Sequence, residues 1–378
     1  MLEALICPNC AGPLNFSAAD GESIQCPYCH TTVLRSSQSP GGGRASHQTG
    51  KPVVSKTTAG PMLAALAVLF IAVLIAVISQ IGDHRNRTGT ASPSTSGKPP
   101  FARMILEFGS KGITPGHFKN ASCIALDQQG HIYVGESGDH GRVQVFDKTG
   151  KYLSEFLAGG FDDLVADRDG TLYVMSEGKI CRFKGLSGEK LPDMERASED
   201  FGGGQTPVYY RCACLSPGVI HAITGYAVDV PRIVNLNTTT GRVAGTVVVT
   251  QPPNETLNLH RILRLTTGEI YGLDTEKGIV FKFSPSGAYI NKFGGTSEEA
   301  FSDHPLPSQL QSPSSMASDS QGRIYVGNGS GIKVYDKDGN YIDGIGQNEF
   351  ANGLAIDDQD HIYACFANCV REYVLQKH

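Results

Sequence analysis

The sequence predicts an all-β propeller of six blades, preceded by a small cysteine-bearing module and one membrane-spanning helix. Three observations carry this prediction. A hairpin pattern recurs six times in the larger, C-terminal part of the chain, two C-x-x-C pairs occur in the first 30 residues, and 17 consecutive apolar residues follow them. Glycine and proline are frequent, at 45 and 20 residues, which favours many tight turns over long helices.

The first element, residues 1–35, has the spacing of a zinc ribbon. Its two C-x-x-C pairs are separated by fifteen residues that contain turn signals, so that a short hairpin can bring the pairs together. Four thiolates complete a tetrahedral Zn²⁺ site, and in so small a module the metal supplies most of the folding free energy. We therefore predict one structural Zn²⁺, with the ligands Cys7, Cys10, Cys26 and Cys29.

Two other interpretations of these cysteines are weaker. The second pair with His30 spells C-x-x-C-H, a c-type haem attachment pattern, but haem would leave the first pair without a role. The string CPYC also occurs in glutaredoxin-like redox sites, which need a much longer βαβ frame than 1–35 provides.

Two polar linkers, 36–60 and 82–100, flank the predicted membrane helix at 61–81. Its centre, Met62–Ile78, contains no polar residue, and the whole segment has the roughly 20 residues that cross a hydrocarbon core. A buried helix of this length would have a polar face, and a secretory signal would begin near residue 1. A single span is the prediction.

The orientation of the span follows from two arguments that agree. Thiolates that hold zinc persist in a reducing cytosol. The residues before the span also carry four basic side chains and no acidic one between Arg35 and Lys56, which favours a cytoplasmic N-terminus. The propeller, 101–378, is then extracytoplasmic. Its six cysteines leave two alternatives open, either disulfides, with Cys365–Cys369 and Cys212 or Cys214 as candidates, or buried small apolar side chains.

The repeated unit of the large domain is a hairpin in which an apolar strand, a polar turn and a strand of the form I/L-Y-V follow one another. The turn residues lie 38 to 54 residues apart, the spacing of propeller blades. The third copy is weak, with His221 in the place of the tyrosine. The turn positions are Gly130, Gly170, Gly218, Gly268, Gly322 and Asp360.

The ends of this domain predict how the ring closes. The sixth copy ends with Val370–Leu375 and leaves no room for a fourth strand, whereas Arg103–Phe108 is a strand without a blade. We therefore expect the N-terminal strand to complete the last blade, which removes the exposed sheet edges.

The segment Phe108–Phe156 resembles an NHL repeat, and Asp319–Tyr341 resembles one more loosely. The resemblance covers most of the copies but is poor over Ala197–Val247. It implies a six-bladed propeller. Some NHL propellers accompany two-zinc RING modules that act in ubiquitin transfer or RNA binding, but four cysteines and one histidine are too few for a RING.

The composition and motifs favour binding over catalysis. The net charge is −5, and the large domain carries the acidic excess, so we expect no nucleic-acid partner. No hydrolase elbow, zinc-protease pair or phosphate loop occurs. The aspartates around Gly170 and Gly339 fit turns better than calcium loops, and His131 and His361 share a repeat position that suggests a surface feature. We expect a protein or carbohydrate ligand, with a metal-dependent lyase or lactonase in the channel as the alternative.

Overall fold

The structure is a computed structural model of the chain, which divides into two units, Met1–Pro93 and Ser94–His378. In the first unit it describes residues 5–6, 13–14, 23–25 and 32–34. In the second it describes residues 100–136, 141–200, 205–207, 209–225, 231–295, 306–346 and 348–376.

The described part of the first unit consists of two short antiparallel strand pairs. Strand β1 (Leu5–Ile6) pairs with β2 (Pro13–Leu14), and β3 (Ser23–Gln25) pairs with β4 (Thr32–Leu34). The four predicted zinc ligands and the predicted span at 61–81 lie outside the described residues. Among the residues that are described, no helix is long and apolar enough to cross a membrane.

The second unit contains six four-stranded antiparallel sheets, which confirms the six-bladed propeller. Blades 1 and 2 comprise β6 (Cys123–Leu126), β7 (Ile132–Glu136), β8 (Arg142–Phe146) and β9 (Tyr152–Leu157), then β10 (Asp163–Ala166), β11 (Thr171–Ser176), β12 (Lys179–Lys184) and β13 (Glu189–Leu191). A separate pair, β14 (Ser198–Asp200) and β15 (Gln205–Pro207), precedes blade 3. Blade 3 comprises β16 (Tyr209–Ser216), β17 (Val219–Gly225), β18 (Arg232–Asn237) and β19 (Val243–Val248).

The remaining blades follow the same order along the chain. Blade 4 comprises β20 (Arg261–Arg264), β21 (Ile270–Asp274), β22 (Ile279–Phe283) and β23 (Tyr289–Gly294). Blade 5 comprises β24 (Ser315–Ser318), β25 (Ile324–Asn328), β26 (Gly331–Tyr335) and β27 (Tyr341–Ile345). Blade 6 comprises β28 (Gly353–Ile356), β29 (Ile362–Cys365), β30 (Val370–Leu375) and β5 (Ala102–Phe108).

The N-terminal strand closes the ring, as predicted. Strand β5 pairs antiparallel with β30, from Ala102 opposite Leu375 to Phe108 opposite Val370. The Phe108 ring then packs against Phe146 of blade 1, at a centroid distance of 4.8 Å. The last blade is therefore built from both ends of the domain.

The turn positions behave as the repeats predict. All six have positive φ, between 63° and 99°, including the non-glycine residue Asp360. This conformation is strained for most side chains but is tolerated by Gly, Asn and Asp. The aspartate-rich segments around Gly170 and Gly339 are also turns, since the amides of these glycines donate to the carbonyls of Asp167 and Asp336 at 3.0 Å.

The core is divided among the six seams between neighbouring blades, each of which holds one cluster of buried apolar side chains. The repeat tyrosines are among the most buried residues, with exposures from 0% to 5%: Tyr133, Tyr173, Tyr271, Tyr325 and Tyr363. A buried hydroxyl needs a hydrogen-bond partner. Three of the tyrosines find one at a turn: Tyr133 and Tyr325 bond turn aspartates of their own blades, and Tyr271 donates to the carbonyl of Lys337 at 2.7 Å.

Candidate functional site

The innermost strands of the six blades surround a central cavity of about 730 Å³. Its wall is formed by β6, β10, β16, β20, β24 and β28, and it extends to the turns that follow these strands. Arg168, Gln321 and Asp358 are among the polar residues at that end. The volume falls within the roughly 300–1,000 Å³ of small-molecule sites, and the lining combines apolar strands with a few charged groups.

One acidic and one basic residue in the wall of this cavity, Asp163 and Arg261, influence each other electrostatically. Asp163 begins β10 and Arg261 begins β20. Burial raises the pKa of Asp163, and the positive charge of Arg261 opposes that rise. The Asp163 carboxylate also accepts a hydrogen bond from its neighbour Leu164 at 3.0 Å. The two side chains therefore place interacting, opposite charges on blades 2 and 4.

The turn aspartates near the channel mouth are occupied by their own turns. The Asp127 carboxylate accepts from the amides of Gln129 and His131 at 2.8 and 2.9 Å, from His131 Nδ1 at 2.7 Å and from the Tyr133 hydroxyl at 2.8 Å. Asp319 has the same arrangement in blade 5. These carboxylates fasten the turn to the strand, so they contribute to structure more than to ligand binding.

A second cavity, of about 480 Å³, lies at the seam of blades 6 and 1 and shares residues with the mouth of the first. It is lined by both His131 and His361. His361 Nδ1 donates to Glu372 at 2.8 Å, so each imidazole is held by a carboxylate. Within the described ranges, no group of three or more His, Cys, Asp or Glu side chains is arranged to hold a metal ion. The hydrogen bonds of the two histidines therefore stabilise their own blades.

Blade 3 holds a constellation that the repeat pattern did not reveal. His221 Nε2 lies 3.0 Å from Ser216 Oγ, and His221 Nδ1 lies 2.7 Å from Asn235 Oδ1. Sheet register explains the geometry, because His221 is directly opposite Asn235 on β18 and opposite Cys214 on β16, two residues before Ser216. A serine, a histidine and an amide oxygen are thereby joined in one chain of hydrogen bonds.

The surroundings of this triad fix the state of its imidazole. His221 is only 6% exposed, and burial lowers its pKa; the bond to Asn235 acts in the opposite direction, and the nearby charge of Arg264 lowers the pKa further. Neutral His221 that donates through Nδ1 to Asn235 accepts the Ser216 proton at Nε2. Ser216 ends β16 and lines the central cavity, as does Arg264 at the end of β20.

Arg264 carries unused hydrogen-bonding capacity. Its Nη1 atom is buried and has no hydrogen-bond partner among the residues that the structure describes. Its charge acts on both Cys214 and His221, which places the guanidinium at the seam of blades 3 and 4. A buried donor without an acceptor is uncommon in folded proteins and indicates a place for a ligand or a water molecule.

The sequence contained one signal for this site. His221 stands where five other blades have a buried tyrosine, and we interpreted this as a weak repeat. An imidazole thus takes the place of a phenol ring, at a position next to Ser216 and Asn235. Only the strand register brings those partners together, because they lie 5 and 14 residues away along the chain.

The six cysteines of the propeller are free thiols, so the structure supports the alternative of buried small side chains and pairs none of them in a disulfide. Burial raises the pKa of Cys123 to about 12, which keeps this thiol protonated. Four of the six are buried and two are half-buried: Cys123, Cys181, Cys212 and Cys365, and Cys214 and Cys369.

Comparisons with known proteins support the fold and no narrower assignment. No family profile matches the sequence, and no curated protein matches it either. A protein described as a gluconolactonase candidate is 12% identical, covers 74% of this chain and 96% of its own, and has a TM-score of 0.53. A protein of unknown function from Bacteroides thetaiotaomicron is 14% identical over 73% and 76% of the two chains, with a TM-score of 0.52. The WD40 repeats of RRP9 are 10% identical over 72% and 100%, with a TM-score of 0.51. At these identities the likeness establishes a β-propeller and nothing about activity.

Proposed function

We propose that this chain is a membrane-anchored binding protein whose extracytoplasmic, NHL-like propeller recognises a protein or carbohydrate ligand. A zinc ribbon at 1–35 lies in the cytoplasm in this proposal, and the helix at 61–81 crosses the membrane once. The observation that carries the binding role is the open channel mouth, where a cavity of about 730 Å³ meets a second one of about 480 Å³.

The polar groups at this mouth suit recognition. Four side chains are exposed on turns whose first aspartate accepts a hydrogen bond from a turn amide: Gln128, Gln129, Arg168 and Gln359. Gln128 Nε2 donates to Asp358 Oδ2 at 3.0 Å and so links the turns of blades 1 and 6. Donors and acceptors on a fixed scaffold bind with little loss of conformational entropy.

Binding is tested with the purified full chain in detergent on arrays of glycans and on extracts of surface proteins. The double variant Arg168→Ala, Gln359→Ala removes two exposed side chains of the mouth without touching a buried contact. We expect it to weaken binding at least tenfold. Lys179→Ala is the matched control, because this lysine is exposed at the opposite end of its blade. Equal binding by both variants would place the ligand elsewhere.

The zinc ribbon is supported by the strand pairing around its cysteines. One C-x-x-C pair lies in the segment between β1 and β2, and the other lies between β3 and β4. Each antiparallel pair returns the chain after a knuckle, as a four-thiolate zinc site requires. Metal analysis should find one zinc per chain, and Cys10→Ser with Cys29→Ser should remove it.

The same metal analysis distinguishes this binding role from the alternative, a metal-dependent lyase or lactonase that acts in the channel. Its support is the fold shared with a gluconolactonase candidate. A metal ion that persists after both cysteine substitutions would belong to the propeller and favour the enzyme. The orientation is tested by labelling intact cells with an impermeant amine reagent, which should modify Lys148 and Lys179 and spare Lys51 and Lys56.

A further inference from the structure

We propose that Ser216, His221 and Asn235 form a serine hydrolase site at the channel mouth that cleaves carboxylic esters, including lactones, without a metal ion. Ser216 is the nucleophile and His221 is the general base. Asn235 is a positioning residue. This site is independent of the binding role above, because the hydrolysis of a small ester needs no macromolecular ligand.

The geometry matches what nucleophilic catalysis requires. The nucleophile and base are joined at 3.0 Å, and the base is oriented by a third group at 2.7 Å. Both distances fall in the range of about 2.6–3.2 Å expected for such a relay. Ser216 is partly exposed on the wall of the 730 Å³ cavity, so a substrate can reach its hydroxyl, while His221 is shielded from bulk water.

Arg264 supplies the remaining group. Acyl transfer places negative charge on the carbonyl oxygen, which a donor must stabilise. The residue after Ser216 is Pro217, which has no amide hydrogen, so the usual backbone donor next to the nucleophile is missing. The Nη1 group of Arg264 is a buried donor without an acceptor in the same wall. An oxyanion there would satisfy it.

Each step of the proposed reaction balances. Ser216 Oγ attacks the ester carbonyl carbon as its proton moves to His221 Nε2, and the charge on the carbonyl oxygen faces Arg264. The bond to the alcohol oxygen breaks, and that oxygen takes the proton from His221. A water molecule then attacks the acyl-serine, gives its proton to His221, and releases the carboxylic acid as Ser216 recovers its proton. The sum is ester plus water to acid plus alcohol.

A purely structural role for this triad is the competing explanation, since a buried histidine must have partners. Two features of this site are not required merely to supply a buried histidine with hydrogen-bond partners. Ser216 lines the cavity at the end of its strand, and Arg264, which lines the same cavity, keeps a donor without a partner among the described residues. In blades 1 and 5 the repeat tyrosine bonds a turn aspartate instead, and each of these carboxylates is engaged by four donors of its own turn and strand.

The test uses the purified full chain in detergent, a fluorophosphonate probe and p-nitrophenyl acetate. Mass spectrometry should find the phosphonyl adduct on Ser216, and Ser216→Ala should abolish both the adduct and the hydrolysis. Ser318→Ala is the matched control, because Ser318 ends the equivalent strand of blade 5 and has no histidine partner. It should react like the wild type.

The other variants separate catalysis from folding, with each fold checked by circular dichroism. His221→Tyr restores the repeat residue and should slow hydrolysis at least about 100-fold. Arg264→Gln should slow it by about 100-fold. Asn235→Ala should lower kcat with KM unchanged, as expected of a residue that only orients the base. Hydrolysis should persist in EDTA.

Three outcomes would overturn the proposal. The first is a wild type with neither adduct nor hydrolysis above the level of Ser216→Ala. The second is equal labelling of Ser216 in a folded His221→Tyr chain, since the base would then have no role. The third is loss of hydrolysis in EDTA, which would assign the reaction to a metal centre.

Discussion

The substitution Asp319→Ala tests whether the buried turn carboxylates hold the blades together. The Asp319 side chain is fully buried and accepts four hydrogen bonds. The donors are the amides of Gln321 and Arg323, each at 3.0 Å, Arg323 Nε at 2.5 Å and the Tyr325 hydroxyl at 2.9 Å. Alanine leaves all four without this acceptor.

The expected cost follows from which donors can reach water. The side chain of Arg323 is 20% exposed and can be solvated, but Tyr325 is fully buried, so its hydroxyl loses its partner outright. Such an orphan costs about 1–3 kcal/mol, and the two turn amides and the guanidinium each lose a hydrogen bond to a charged acceptor, which is worth about 1.5–3 kcal/mol before water replaces part of it. We expect a loss of about 4 kcal/mol, or about 10 °C in Tm for a domain of this size.

The assay is thermal unfolding followed by circular dichroism, with Asp336→Ala as the control. Asp336 makes the same turn, and its carboxylate accepts from Asp338 and Asn340, both at 2.9 Å, but these donors are exposed. Its loss should cost under about 1 kcal/mol. Tyr325→Phe should reduce the cost of Asp319→Ala, because no hydroxyl is then orphaned. If both aspartate variants unfold at the same temperature, the reasoning is wrong.

Three further predictions concern single positions. Burial lowers the pKa of His221 in the folded chain, so its contribution to stability is present above the unfolded pKa of about 6.5 and is lost as the pH falls below that value. We therefore expect the Tm to fall less between about pH 8 and pH 5 in His221→Tyr than in the wild type. With a pKa of about 12, Cys123 should resist iodoacetamide at about pH 8 in the folded chain and react in urea, as read by peptide mass spectrometry. Gly339→Ala should lower Tm more than Gly218→Ala, because both have positive φ but only the first places a Cβ 2.5 Å from the Phe293 ring.

The sequence determined the architecture because the fold is written in repeated local patterns. Each turn needs a residue that tolerates positive φ, and each blade carries an aromatic ring on one face of its second strand, so the six positions recur recognisably along the chain. Ring closure followed from a strand count alone, since Arg103–Phe108 had no blade and the last blade had one strand too few. The pairing of β5 with β30 confirms that argument.

The repeat pattern does not predict the features in which one blade differs from the others. The strand pair β14–β15 lies in Ala197–Val247, where the pattern was weakest. The electrostatic interaction of Asp163 with Arg261 acts between two blades that a third separates in the chain. These features depend on register and ring geometry, which place residues in contact irrespective of their repeat positions.

Blade 3 illustrates why departures from a repeat deserve chemical scrutiny. Selection for folding alone favours the same residue at equivalent positions, because each blade solves the same packing problem. Five blades fill this position with a buried tyrosine ring, although the partner of the hydroxyl differs from blade to blade. His221 fills the position with a smaller ring and two nitrogens, and the strands beside it provide Ser216 and Asn235 at matching distances. At the same seam, blade 4 has Leu265 where other blades have the turn aspartate. The preceding residue is Arg264, whose buried Nη1 has no partner among the described residues. Three coordinated departures at one seam, all next to the channel cavity, are better explained by chemistry at that point than by drift in a repeat.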